Sequence, residues 1–116
     1  VEETVVQALT KWLPPEQLRA RLELLASVWS DVSVRLRNQL LPANELQEML
    51  RAAGAPAHPQ DIGLDWERFR ATYTRAQMIR KRYTVLDLAL ETGLLDVLVD
   101  ELFAPDGFWG RQAPRA

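Results

Sequence analysis

An all-α fold of five to six helices is predicted by three observations. Apolar residues recur at intervals of three and four along most of the chain, which is the period of a helix that buries one face. Prolines and glycines fall between those runs, at Pro14-Pro15, Pro42, Gly54, Gly63, Gly93 and Pro105, where each can end one helix or open the next. No useful length alternates apolar and polar residues with the period of two that marks a half-buried strand. Tyr83 to Leu88 is the one stretch that could be mistaken for a strand.

The first helix is expected over Thr4 to Leu13, with Val5, Val6, Leu9, Trp12 and Leu13 on one face, and is stopped by Pro14-Pro15. Pro15 suits the first turn of the next helix, and Glu16 complements its dipole. Leu18, Leu22, Leu25, Val28 or Trp29, Val32, Leu36 and Leu40 then repeat at three and four. They make one long helix, or two broken where Ser27 to Ser33 lowers propensity. Pro42 ends this segment. Ala43 to Ala53 is the third helix, with Leu46, Met49 and Leu50 as its stripe and Gly54 as the residue beyond its end.

Ala55 to Gly63 holds two prolines and a glycine and reads as a loop. Asp65 can cap a fourth helix whose face is Trp66, Phe69, Tyr73, Ala76 and Ile79. Thr84-Val85-Leu86-Asp87 has the spacing of a capping box and opens a fifth, closed by Gly93. Leu94 to Phe103 is the sixth. A helical domain over residues 1–104 and a poorly ordered tail over 105–116 follow, with Phe108 and Trp109 available to dock on a partner.

The 116 residues suit one domain or less. Hydrophobic residues at 47% and charged residues at 26% are globular proportions and argue against disorder. The net charge of −2 gives no global attraction for a polyanion, so no nucleic-acid partner is expected. With no cysteine and His58 as the only histidine, thiolate sites, cysteine nucleophiles and any site needing two imidazoles are excluded. No segment approaches the ~18 consecutive apolar residues of a membrane span, and a cytoplasmic location is expected. Val1-Glu2-Glu3 offers neither an initiator methionine nor a basic leader, and the expectation is a piece of something longer.

Few constellations carry chemistry. His58, between two prolines, could act as a base or as one metal ligand, but a lone loop histidine is by default a surface residue. Glu91, Asp96, Asp100 and Glu101 lack the spacing of a calcium loop. Arg68, Arg70, Arg75, Arg80, Lys81 and Arg82 place six cations in fifteen positions. Arg68, Arg70 and Arg75 read as the solvated face of the Trp66–Phe69–Tyr73 helix. Arg80 and Arg82 lie at a helix end beside the Thr84 cap, where two cations and a helix dipole can converge on an anion. No dinucleotide loop, phosphate loop or nucleophile elbow is present in the sequence.

Two stretches are more specific. One is Leu41-Pro42, Glu45-Leu46 and Leu50-Arg51-Ala52-Ala53-Gly54-Ala55-Pro56, followed by Pro59-Gln60-Asp61-Ile62-Gly63-Leu64. The other is Ile79-Arg80-Lys81-Arg82-Tyr83-Thr84-Val85-Leu86-Asp87-Leu88 with Glu91-Thr92-Gly93-Leu94-Leu95. From about Leu40 to Leu98 the chain resembles the C-terminal end of glycerol-1-phosphate dehydrogenases. These belong to the superfamily of iron-containing alcohol dehydrogenase, glycerol dehydrogenase and dehydroquinate synthase.

The resemblance implies the terminal part of a dehydroquinate-synthase-like helical domain, completed by a missing N-terminal nucleotide-binding domain. It also implies an enzyme that reduces dihydroxyacetone phosphate with NAD(P)H to sn-glycerol 1-phosphate. A divalent ion, usually zinc, held by one aspartate and two histidines, would polarise the carbonyl. This sequence departs from that plan, because it has neither a glycine-rich loop nor two histidines. The family's ligands lie upstream of the matched region, so no metal ligand, cofactor residue or catalytic residue is carried over, and His58 is not promoted to one. What remains is the loop Gly54 to Gly63 and the turn Arg80 to Thr84 facing the cleft, with Arg80, Arg82 and Thr84 as candidate phosphate-holding residues. Alone, the chain is expected to be inactive and to self-associate through Val5, Val6, Leu9 and Trp12. The alternatives are an autonomous helical interaction module and, less favoured by the charge, a nucleic-acid binder using Arg68 to Arg82.

Overall fold

The structure, a computed structural model, describes residues 2–114 and is all-helical, with no strand among the described residues. Val1, Arg115 and Ala116 lie outside the described residues, including the end of the expected tail. The α-helices among the described residues are α1 Glu2–Leu9, α2 Pro15–Gln39, α3 Ala43–Ala52, α4 Trp66–Tyr73, α5 Val85–Glu91 and α6 Leu95–Phe103. Short 3-10 turns lie at Pro59–Ile62, Ala76–Met78 and Gly110–Gln112.

Helix α1 ends earlier than the apolar spacing suggests. The N–H groups of Lys11 and Trp12 turn to the carbonyls of Ala8 and Leu9, three residues back (3.1 and 3.2 Å), a tightened last turn. The chain must then be extended before Pro14, which leaves Trp12 and Leu13 on an elbow rather than on the helix. Helix α2 settles the choice between one helix and two. It runs unbroken from Pro15, and Ser27 and Ser33 turn their hydroxyls back to the carbonyls of Leu24 and Ser30 (2.7 and 2.9 Å). Those hydroxyls are satisfied inside the helix and do not break it.

Helix α3 closes as its glycine foretells. Gly54 takes a left-handed φ of 71°, and the N–H groups of Gly54 and Ala55 bond to the carbonyls of Arg51 and Leu50 (3.0 and 2.9 Å). That pair of bonds is a Schellman end. Helix α4 starts where Asp65 accepts the Arg68 N–H at 3.0 Å but stops at Tyr73, short of the expected Ile79. The hydroxyls of Thr72 and Thr74 bond to the carbonyls of Phe69 and Ala71 (2.6 and 3.1 Å), and the Gln77 amide takes the Thr74 carbonyl (2.9 Å). The chain goes on as the 3-10 turn Ala76–Met78, in which the Met78 N–H turns to the Arg75 carbonyl at 3.0 Å.

The core is small. Ala89, Leu95 and Val99 of α5 and α6 are buried, with Tyr73, Leu86 and Phe103 packed on them. Around it Trp66, Phe69, Tyr73, Phe103 and Trp109 form a cluster of mostly edge-on rings whose centroids lie 4.9 to 5.9 Å apart, within the favourable range for aromatic pairs.

The tail is described as far as Pro114. Residues 106–114 turn back on α6 instead of lying loose, and Trp109 docks on its own chain. Its indole N–H donates to the Tyr73 hydroxyl at 2.6 Å, and its backbone N–H to the Leu102 carbonyl at 2.9 Å. The two glycines that suggested looseness are the reason for the tight fold. A Cβ on Gly110 would stand 1.8 Å from the Ala104 carbonyl oxygen, and one on Gly107 would stand 2.1 Å from that of Glu101. Only glycine permits that approach.

Outside this body much apolar surface stays open. No residue of α2 is buried, although the helix is about 37 Å long at 1.5 Å per residue. The radius of gyration is 16.5 Å, against about 13 Å for a compact chain of this length. The accessible surface is 9215 Å², against roughly 6,500 Å² for a globular monomer of this mass. The surplus of about 2,700 Å² includes apolar side chains of α1, α2 and α3.

Candidate functional site

The corner between α4 and α5 is held from behind by Lys11. Its ammonium donates to the Gln77 carbonyl and, at 2.5 Å, to Asp87 Oδ1. The two charged side chains are 10% and 8% exposed, so this is a nearly dry ion pair tying the α1 elbow to the start of α5. Asp87 is doubly used. Its Oδ2 accepts the Thr84 N–H at 2.7 Å and the Thr84 hydroxyl at 2.8 Å, and the expected capping box is present. Burial alone would raise the Asp87 carboxyl, but the hydrogen bonds from Lys11 and Thr84 outweigh it and hold the group below its ordinary value.

In front of this clip Arg80, Arg82 and Thr84 surround one depression of about 290 Å³, with Ala76, Gln77 and Ile79 as its other walls. The three candidate residues are therefore brought together. Both arginines are exposed, and among the described residues neither forms an ion pair. The helix end expected at the same place is partly closed: the capping box takes the N–H groups of Thr84 and Asp87 and sets the Asp87 carboxylate beside them. The two guanidinium groups can fork two N–H bonds onto phosphate oxygens.

The other candidates separate. His58 is half-buried and stacks on Trp66 at 5.9 Å. Its Nδ1 accepts the Gln60 N–H at 3.3 Å, which places the proton on Nε2, 3.3 Å from the Gln112 carbonyl. With both nitrogens engaged, it braces the loop against the tail. Asp61 accepts the N–H groups of Ala57 and His58 (2.9 Å each), and those bonds hold its carboxyl below the usual range. The Gln47 amide completes the brace, donating to the Ala57 carbonyl and to Gln112 Oε1 (2.8 Å each).

Of the four acids, Asp96 and Asp100 share a depression of about 340 Å³ with Glu67 and Arg70, apart from Glu91. Glu91 accepts from Arg21 at 2.8 Å and from the Tyr83 hydroxyl at 2.6 Å, while Asp100 accepts from Arg70 at 2.5 Å. Among the described residues no three His, Asp or Glu side chains are grouped to hold a metal. Glu91 raises the Arg21 guanidinium through their hydrogen bond. Burial, joined by the bond to Glu91, pushes the Tyr83 hydroxyl up to about 12.

Sequence reasoning missed Lys11, Gln47 and Gln112. Their partners lie 10 to 76 positions away, and no local spacing announces them. No helix among the described residues is long and apolar enough to cross a membrane. No family model, curated protein or solved structure matches the chain.

Proposed function

We propose that the chain is the C-terminal helical portion of an NAD(P)-dependent, metal-dependent sn-glycerol-1-phosphate dehydrogenase, and that its part in reducing dihydroxyacetone phosphate is to hold the phosphate. The observation that carries this reading is the corner at Arg80, Arg82 and Thr84. Residues from the most specific stretch of the resemblance stand round one depression there, with two guanidinium groups free of any acid partner among the described residues. Phosphate is a ligand such a pair suits.

The residues present do not fit a catalytic metal or a dinucleotide. His58 is committed on both nitrogens, Asp61, Asp87, Glu91 and Asp100 are each engaged by a cation or backbone group, and among the described residues no three His, Asp or Glu side chains are grouped to hold a metal. The ion and NAD(P) therefore belong, on this reading, to an N-terminal nucleotide-binding domain and its neighbouring residues, and no chemical step is assigned to this chain. The surplus apolar surface supports the need for such a second body, and a cytoplasmic location is part of the same reading.

Two measurements test it. The coding sequence upstream of Val1 should contain one aspartate, two histidines and a glycine-rich loop. Without them the dehydrogenase reading falls, and an autonomous helical interaction module, favoured by the open faces of α2 and α3, takes its place. In the complete enzyme Arg80→Ala and Arg82→Ala should each raise the KM for dihydroxyacetone phosphate roughly tenfold with a smaller change in kcat. An unchanged KM removes the phosphate role.

A further inference from the structure

Helix α2 carries a pattern that the fold covers only in part, with Leu18, Leu22, Leu25 and Val32 half-buried and Trp29 and Leu36 exposed. Leu18, Leu22, Leu25, Trp29, Val32 and Leu36 follow at spacings of four, three, four, three and four. That is the 3.5-residue repeat of a coiled-coil seam. Leu22, Trp29 and Leu36 take the a positions of the heptad, and Leu18, Leu25 and Val32 the d positions. Trp29 is 45% exposed and Leu36 37%. Towards its start the seam borders a groove of about 580 Å³ walled by Trp12 and Leu13 of the elbow. A large aromatic in mid-seam is the kind of side chain that anchors an interface.

The flanks of the seam say what fits it. The e positions are Arg19, Ala26 and Ser33, and the g positions are Arg21, Val28 and Arg35, three arginines and no acid. One of them already shows its preferred neighbour, since Arg21 holds the Glu91 carboxylate at 2.8 Å. Two copies of this chain suit each other poorly. Neither pairing sets Arg19 or Arg35 of one copy against a carboxylate at e or g of the other, because those positions hold no acid. A second helix with acids on its flanks satisfies both the seam and the charge.

We infer that α2, with the Trp12–Leu13 elbow, is the docking seam for an amphipathic helix of another polypeptide segment, apolar at a and d and acidic at e and g. The inference goes beyond the dehydrogenase reading and does not depend on it, since any segment of that chemistry satisfies it.

The test uses the full chain and two synthetic 28-residue peptides, both with leucine at a and d, one with glutamate and the other with lysine at e and g. Fluorescence anisotropy of the labelled peptides should show the glutamate peptide binding at least roughly tenfold more tightly at low salt. The difference should narrow as salt screens the flanks. Trp29→Glu should abolish binding, and Val34→Glu, off the seam, should leave it; circular dichroism checks that both variants remain helical. Equal affinity for the two peptides, no binding of either, or a dimer of the chain itself that Trp29→Glu dissolves would each overturn the inference.

Discussion

Lys11 and Asp87 stand 76 positions apart in sequence and 2.5 Å apart in space, with their side chains almost wholly removed from water. The pair joins the first elbow of the chain to the cap of α5. Replacing one partner strands the other. Lys11→Met leaves Asp87 with Thr84 alone, and Asp87→Asn leaves a buried ammonium with a carbonyl. Each should lower stability by about 2–3 kcal/mol, because an unmatched charge in a dry site costs more than the pair contributes. Urea unfolding of the two variants and of the double variant measures the coupling.

The same pair sets an acid limit. The Asp87 carboxyl lies below its ordinary value in the folded chain. Its contribution is therefore complete above the unfolded value of about 4. It is lost as pH falls through the lower folded value. Melting temperature measured from pH 6 to pH 2 should drop more steeply for the parent chain than for Asp87→Asn.

At the alkaline end Tyr83 governs. Its hydroxyl is raised to about 12 in the folded chain, above the ordinary value of about 10. The stability it adds is complete below about pH 10 and disappears as pH rises towards 12. Tyr73 is raised too, first by burial. Absorbance of the phenolate should therefore show neither tyrosine titrating near pH 10 while the chain is folded. A full phenolate step at that pH in the native protein would contradict the placement of both rings.

Gly110 tests the tail. An added methyl meets the Ala104 carbonyl at 1.8 Å, so Gly110→Ala must lift the turn off α6. A loss of about 1–3 kcal/mol is expected, with the Trp109 emission shifted to the red. The same change at Gly54 meets no atom within 4 Å, but φ there is 71°. Its cost should be nearer 1 kcal/mol and leave Trp109 unmoved.

The α1 face is the site expected for self-association. Val5, Val6 and Leu9 are between 51% and 64% exposed, and light scattering should show mass growing with concentration. Val6→Glu should suppress that growth and Trp29→Glu should not. A clean monomer at high concentration would count against it.

What the sequence makes legible is what neighbours decide. Asp65, the Thr84–Asp87 box and the glycines after α3 and α5 act within a turn of themselves, and each does what its spacing foretells. The break after Tyr73 passes into the 3-10 turn Ala76–Met78, a change of winding that apolar periodicity does not report. The order of the tail depends on Tyr73 standing 36 positions away from Trp109. At the candidate corner, Arg80, Arg82 and Thr84 are adjacent in sequence and could be named from it. The carboxylate that fills the helix start serves as cap and as ion-pair partner, and only the first of those roles is local.

The helix that contributes most to the backbone signal is not the one that holds the molecule together. Helix α2 spans 25 residues and buries none of them, while the rings gathered around Phe69 and Phe103 belong to short segments elsewhere. Far-ultraviolet dichroism will mainly follow the first, and near-ultraviolet signals the second. Their melting curves need not coincide, and hydrogen exchange should be fast in the middle of the longest helix and slow in α5 and α6. Unfolding of this chain is then expected to run in two steps, which a single melting temperature does not describe.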